Sequence, residues 1–587
     1  MSTQATPTLS LKGIGASPGI AVGHAFLLDR KRMRTPKLRL SEEEVEGELM
    51  RLKTALELSE HQLEDLKEKV GHDGHDHELI IEAHRLMLHD PMLVDEVRKL
   101  ISRDRINAEW AVRRVSRKIK HMFDNIPDEY FRERRQDVDY VADRIVRNLM
   151  GQVVDDDIEV PEGAIVIAHD LSPGDTAVMV RSGRVAGFVT DVGGQTSHTA
   201  IVARARETPA VVGSGRASEQ ISPGDLIALD GTRGLILVNP TEEQLALFRE
   251  TMRRHLASEQ AALKTRDDPA RSVDGYVVRM YGNMEFLEEI ESLVAHGAEG
   301  IGLYRTEFLI LGRDTPPTEE EQYRCYRQAL EQMKGAPVTI RTLDIGGDKV
   351  PGARRTEREA NPALGLRGIR FLLHNRELFR MQLRALLRAS AHGNLRLMFP
   401  LISGMSELRE ARSELEHCRS ELGRAGVPMG GRFPVGIMVE TPSAAVIADR
   451  LALEADFFSV GTNDLIQYNL AIDRQNREVA YLYRPLHLSV LRLLQTIVSA
   501  ARATGIPVAM CGEMAGDPAY SVMLLALGFD ELSMTAGQIP IVKNILRRSS
   551  RAEAIQILEQ AMSFSTAEEI ERFVRGEMEN RFRDVES

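Results

Sequence analysis

RFPVGIMVETPSAAVIADRLALEADFFSVGTNDLIQY, residues 432–468, holds two apolar runs, VGIMVET and FFSVGTNDL, each read as a buried strand followed by helical or loop sequence. Glu440 and Asp464 stand at or just past the ends of those strands. The same unit recurs on either side. VVRMYGNM, GIGLYRTEF, PVTIRTLDIG and LRLMFPLI precede the pair, and PVAMCGEM and ELSM follow it. Eight strand-plus-helix units after about residue 270 fit a (β/α)8 (TIM) barrel with some insertions, since a plain one takes about 250 residues. A doubly wound open sheet is the alternative, and eight even repeats weigh against it.

The polar residues of these runs gather at one end. Arg305, Arg341, Asp344, Glu440, Asn463, Asp464, Cys511 and Glu513 all sit at or just beyond the C-terminal ends of the predicted strands, where barrel active sites form. Arg305, Arg341 and Arg474, the last on the loop after the sixth strand, offer planar donor forks suited to carboxylate and phosphate oxygens. Glu440 and Asp464 supply hard oxygen ligands, which favour magnesium or manganese over zinc. Such a set either pairs internally as a salt-bridge network or holds a divalent cation with a polyanion, the combination phosphoryl transfer requires. Cys511 is either a small core cysteine or, beside a ligand, a proton donor.

The preceding third of the chain has a different texture. From about Gly151, short apolar runs (GAIVIAHD, VAGFVTDVGG, TPAVVGSG, DLIALDG, GLILVNP) are broken by Gly and Pro, as strands and turns are. One run leads through two glycines into GGQTSHTAIVAR, residues 193–204, where Thr196 or Ser197 caps a helix and His198 falls in its first turn. Amides and dipole there favour an anion, so His198 is a candidate phosphoryl carrier, or else a residue that completes the cap. Residues 8–30 read as strand and turn. Between lies a helical region whose first helix starts at Ser41 with Glu42, Glu43 and Glu44. Its apolar seam runs from Val45 to Val70 at spacings of three and four, with Ser59 as the gap. Residues 241–273 read as a connecting helix and a polar linker, TRDDPARSVDG.

At 587 residues the chain exceeds one core, and length suggests two to four domains. A net charge of −12 argues against a nucleic-acid surface. No apolar run approaches the roughly 20 residues needed to span a bilayer, and the first residues lack a secretory pattern. Three scattered cysteines, Cys325, Cys418 and Cys511, make a disulfide framework a poor fit, so a reducing cytoplasm is expected.

Taken together, GGQTSHTAIVAR, GIGLYRTEFL, RTLDIGGDK, MVETPSA, FFSVGTNDLIQY and MCGEMAG resemble the Enzyme I family of the bacterial phosphoenolpyruvate–sugar phosphotransferase system, across essentially the whole chain and in the same order. The resemblance implies a swivelling α/β phosphohistidine domain (1–29 and 150–240) and an inserted helical domain (30–149) that docks the phosphocarrier protein HPr. It also implies a phosphoenolpyruvate-binding barrel (274–587) that makes a homodimer. His198 would carry phosphate on the ring nitrogen remote from the main chain. Arg305, Arg341, Asn463, Asp464 and Arg474 would contact phosphoenolpyruvate, Glu440 and Asp464 would hold Mg2+, and Cys511 would protonate the enolate to pyruvate. GHDGHDH (71–77), with His84 and His89 nearby, departs from the family pattern and reads as a solvated loop or a nickel or zinc site.

Dikinases and synthases that share these two modules also need a large nucleotide-binding region, for which the chain has no Gly-rich, Lys-bearing loop. A nitrogen-branch regulatory paralogue would carry an N-terminal sensory domain, and strand texture by residue 8 speaks against one. A catalytically silent signalling scaffold is hard to reconcile with intact His198, Arg305, Arg341, Glu440, Asp464 and Cys511.

Overall fold

The computed structural model describes residues 8–582 except 18, 29–35, 71–83, 86, 125–137, 139–140, 152–159, 172–178, 180–182, 195–196, 206, 311–315, 347–360, 475 and 477. The chain divides into two compact units, Met1–Arg253 and Arg254–Ser587.

In the first unit, eight strands form one sheet in the order β1-β8-β7-β3-β4-β5-β6-β2. They are β1 (Leu9–Lys12), β2 (Ile14–Ser17), β3 (Ile20–Leu28), β4 (Ala164–Ala168), β5 (Val185–Thr190), β6 (Ala210–Val212), β7 (Leu226–Asp230) and β8 (Leu235–Val238). The central neighbours β3, β4, β5 and β6 run parallel, while β7, β8 and the edges pair antiparallel. Alternation decides which face each residue serves. Val166, Phe188 and Val212 join one core, and Ile165, Ile167, Val189 and Val211 join the other.

The chain leaves this sheet after β3 and returns at β4, and the helical region lies between. Its helices include Glu44–Val70, Pro91–Asp104, Ala108–Asp124 and residues 141–149. Ser41 takes Glu44 Oε2 on both its amide and its hydroxyl, fixing the start of the first helix. Leu52, Ala55 and Leu63 are buried on its inner face. The gap at Ser59 is filled by bonding: its Oγ donates to the Ala55 carbonyl at 2.7 Å and accepts from Asn148 Nδ2 at 2.8 Å. The side chains of Leu66 and Val70, and the histidine-rich turn 71–77, lie outside the described residues.

In the second unit, β10 (Val277–Met284), β11 (Ile301–Arg305), β12 (Val338–Arg341), β13 (Leu395–Phe399), β14 (Val435–Val439), β15 (Phe458–Val460), β16 (Val508–Met510) and β17 (Glu531–Met534) pair in sequence, all parallel. β10 pairs with both β11 and β17, which closes the barrel. These strands read as continuous apolar runs because both faces are covered. Toward their N-terminal ends the interior holds an ion pair: Arg396 Nη1 donates to both oxygens of Glu531, at 2.9 and 2.8 Å, with its guanidinium over the Phe457 ring. On the outside, Arg376, Arg380, Arg384 and Arg388, four apart on helix Arg376–Ala389, bridge to glutamates of both flanking helices.

The polar linker expected up to residue 273 is instead built into the barrel. β9 (Ala270–Arg271) pairs antiparallel with β10, and Ala270 is fully buried. Asp268 pairs with Arg547 at 2.9 Å, and the buried Lys543 donates to the Arg266 carbonyl. Asp274 accepts from the amides of Arg551 and Ala552 and so caps helix Arg551–Ala561. The Ser272 hydroxyl, followed by those amide bonds, holds its carboxyl far below the usual range.

Candidate functional site at the barrel mouth

The carboxyl ends of the strands converge on a charged mouth. Arg341, the last residue of β12, is buried; its Nη2 donates to Glu307 Oε1 at 2.9 Å and its Nη1 lies 3.1 Å from Asp344 Oδ2. Burial opposes its charge, yet Glu307, Asp344 and Glu440 outweigh it and hold the guanidinium protonated. Arg305, ending β11, donates to Glu285 at 2.7 Å. Arg367 spans the site: Nη2 lies 3.0 Å from Asp344 Oδ2 and 3.4 Å from Asp464 Oδ2, and Nε lies 3.3 Å from Asp344 Oδ1.

Three carboxylates meet beneath these cations. Asp344, Glu440 and Asp464 each place an oxygen so that all lie within 4.8 Å of one another. Glu440, 1% exposed, follows β14 directly and accepts from the Leu401 amide at 2.6 Å. Leu401 holds φ 52°, a left-handed conformation costly for a branched side chain, and this aims the amide. Gly461 gives Glu440 its room: a Cβ there would lie 2.7 Å from Glu440 Oε2. Burial, then Asp344 and Asp464, push the Glu440 carboxyl well above its usual range. Asp344 titrates the other way, because Arg341 and Arg367 outweigh its burial.

Charge bookkeeping tests whether a cation fits. Glu285, Glu307, Asp344, Glu440 and Asp464 face Arg305, Arg341 and Arg367, so with all ionised the mouth carries two excess negative charges. The neighbouring pair of Arg474 and Glu513, 3.7 Å apart, adds nothing net. A divalent cation held by oxygen ligands fits both the deficit and the donor type. Buried Arg341 Nε and Glu307 Oε2 have no hydrogen-bond partner among the described residues.

Asn463 and Glu513 lock together at the rim: Asn463 Nδ2 donates to Glu513 Oε1 at 2.8 Å, and the Glu513 amide donates to Asn463 Oδ1 at 3.0 Å. Cys511 follows β16 immediately and is 2% exposed. It packs with Leu303, Met398, Met438 and Phe457. Ser459 Oγ donates to its Sγ at 3.2 Å, and Sγ lies 3.7 Å from the Val460 carbonyl. Burial raises the thiol above its ordinary value, while the Ser459 bond and the Arg341 charge act against that.

Of the residues named from sequence, Arg341, Glu440 and Asp464 come together around the acidic cluster, Asn463 and Arg474 meet at Glu513, Arg305 ends β11, and Cys511 stands just past β16. Arg367 was not anticipated, nor was Glu307, which holds both Arg341 and, at 2.7 Å, the Asp344 amide. In the first unit, His198 opens helix His198–Ala205, and Ser197 Oγ accepts from the Ala200 amide at 3.4 Å. Thr196, the other candidate cap, lies outside the described residues.

Comparison with known proteins places these modules among phosphoenolpyruvate-utilising enzymes. Three family descriptions match: the PEP-utilising enzyme N-terminal region over residues 12–134, the mobile domain over 160–234 and the PEP-binding domain over 259–551. The chain is 42% identical to the phosphoenolpyruvate-protein phosphotransferase of Listeria monocytogenes over 566 residues, 96% of this chain and 98% of that protein. It is also 42% identical to that of Bacillus subtilis, over 96% of this chain and 99% of that protein. A solution structure of Enzyme I (nEIt) matches 41% of this chain and 98% of its own, at 40% identity and a TM-score of 0.35. The chain belongs to the phosphoenolpyruvate-protein phosphotransferase family, and it is a transferase.

Proposed function

We propose that this chain moves the phosphoryl group of phosphoenolpyruvate to its own His198 and then to an HPr-type phosphocarrier, the entry reaction of the sugar phosphotransferase system. The observation that carries the reading is the mouth itself, where three guanidiniums meet five carboxylates, three of them clustered, and two positive charges are lacking. Phosphoenolpyruvate presents one carboxylate and one phosphate, and Arg305, Arg341, Arg474 and Asn463 are suited to take them.

Glu440 and Asp464 would hold Mg2+, with Asp344 adding charge while bound to Arg341 and Arg367. The cation would offset charge on the transferring phosphoryl oxygens. The Nε2 lone pair of His198 attacks phosphorus, the bridging P–O bond breaks, and its electrons pass to the enolate, which the arginines stabilise. Cys511 gives its proton to the enolate carbon, forming the methyl group of pyruvate. The helical region 30–149 would receive the carrier, the barrel would pair with a second copy, and the cytoplasm is the expected compartment. Among the described residues no helix is long and apolar enough to cross a membrane.

The test is mass spectrometry of the protein after incubation with phosphoenolpyruvate and magnesium. Phosphate should be found on His198 alone, and His198→Ala should fold yet take up none. Undiminished labelling of that variant would sink the assignment.

A further inference from the structure

Among the described residues, Ser459 is the side chain that hydrogen-bonds the Cys511 sulfur, which otherwise packs on Leu303, Met398, Met438 and Phe457 with Arg341 nearby. It sits mid-strand in β15 at 1% exposure, and its hydroxyl points at Cys511 Sγ from 3.2 Å. Neutral sulfur is a weak acceptor, so a buried hydroxyl gains little from this bond while the thiol keeps its proton. The balance changes once the proton leaves, because a hydrogen bond to an ionised acceptor is about twice as strong.

We infer that Ser459 is a positioning residue for the protonation step, holding the Cys511 sulfur in place and stabilising the thiolate left when its proton goes to the enolate carbon. This rests on the reading of Cys511 as donor. In that step the S–H bond breaks, a C–H bond forms at the enolate carbon, and the electron pair stays on sulfur. Ser459 keeps its own proton and donates to the thiolate until water returns one. The neutral S–H can lie against the Val460 carbonyl, 3.7 Å away, so swinging the proton toward the mouth needs only rotation about the Cβ–Sγ bond while Ser459 keeps the sulfur fixed.

The experiment follows two rates in one single turnover of the full-length protein with magnesium: phosphorylation of His198 and formation of pyruvate. Parent, Ser459→Ala, Ser459→Thr and Cys511→Ala are compared. Ser459→Ala should phosphorylate at the parent rate with unchanged KM for phosphoenolpyruvate. Its pyruvate formation should fall roughly ten- to a hundredfold and show a larger solvent deuterium isotope effect, and Thr should restore most of the rate. If Ser459→Ala matches the parent while Cys511→Ala is blocked in pyruvate formation, the serine is only packing and the inference is overturned. A Ser459→Ala defect that appears in KM or in phosphorylation, with no change in isotope effect, overturns it as well. If Cys511→Ala itself forms pyruvate at the parent rate, the donor assignment has failed, and that outcome is distinct from a failure of Ser459 alone. The small Ala side chain leaves the fold intact, which circular dichroism checks in each variant.

Discussion

Replacing Arg367 by Met keeps a stem of similar length and removes the guanidinium that spans Asp344 and Asp464. Asp344 would keep Arg341 at 3.1 Å, but Asp464 would lose the cation that stands 3.4 Å from its Oδ2. The mouth would then carry three excess negative charges instead of two. Two effects of opposite sign follow. Taking Arg367 as one further donor to the anionic substrate, loss of one charge-assisted hydrogen bond, worth about 1.5–3 kcal/mol, should lower phosphoenolpyruvate affinity roughly ten- to a hundredfold. The acidic cluster loses a competitor for its oxygens, so Mg2+ or Mn2+ should bind as tightly as in the parent or more tightly. Titration calorimetry with Mn2+ alone, followed by the KM for phosphoenolpyruvate at saturating metal, separates the two. A variant with weakened metal binding and an unchanged KM would refute the reasoning, because Arg367 would then be organising the ligands rather than binding the anion.

Glu440→Gln should abolish activity together with the magnesium requirement, and its stability should depend less on pH than the parent's. The folded-state carboxyl of Glu440 lies above its ordinary value, so without metal its contribution is present at low pH and is lost as pH rises through the raised value. Thermal unfolding in chelator should therefore weaken from pH 5 to pH 8 more in the parent than in the variant, and magnesium should rescue only the parent. Arg396→Met strands Glu531 in the barrel interior and should cost about 3–5 kcal/mol, whereas Arg396→Met with Glu531→Leu should recover most of it; denaturant titration showing additive losses would contradict this. A fragment ending near residue 264 should accept phosphate from a phosphorylated HPr-type carrier but none from phosphoenolpyruvate, and the complementary fragment should bind phosphoenolpyruvate without becoming labelled. Labelling of the first fragment by phosphoenolpyruvate alone would place the substrate site in the wrong half.

The eight barrel strands were legible because parallel strands covered on both faces are unbroken apolar runs, and the charged residues at their ends stand out against them. Arg367 was not legible. It lies 26 positions beyond Arg341, past a long connection, and reaches the mouth through an isolated bridge between Gly346 and Arg367 that no periodicity encodes. A faint signal existed in the glycine that follows it. Gly368 holds φ 56°, and a Cβ there would lie 3.0 Å from Asp344 Oδ1. The misreading of 265–273 has a different cause. TRDDPARSVDG has the composition of a solvated connector, yet its charges serve partners nearly 280 positions away, such as Asp274 at the Arg551 amide and Asp268 at Arg547. Composition reports that a segment is polar and says nothing about what its polar groups bind.

Leu401 sets a limit on how far this protein can be improved by ordinary engineering. A leucine held at φ 52° costs about 1–2 kcal/mol, and glycine at that position would recover part of it. The same change would remove a side chain that is only 1% exposed, and losing a buried leucine costs about 2–5 kcal/mol, so packing more than covers the strain. The same backbone twist aims the amide that holds Glu440, and glycine, free to leave that conformation, would let the carboxylate drift among rotamers. Side-chain burial thus sustains the torsion on which the Glu440 contact depends, and a cavity made at Leu401 should cost stability and metal affinity together.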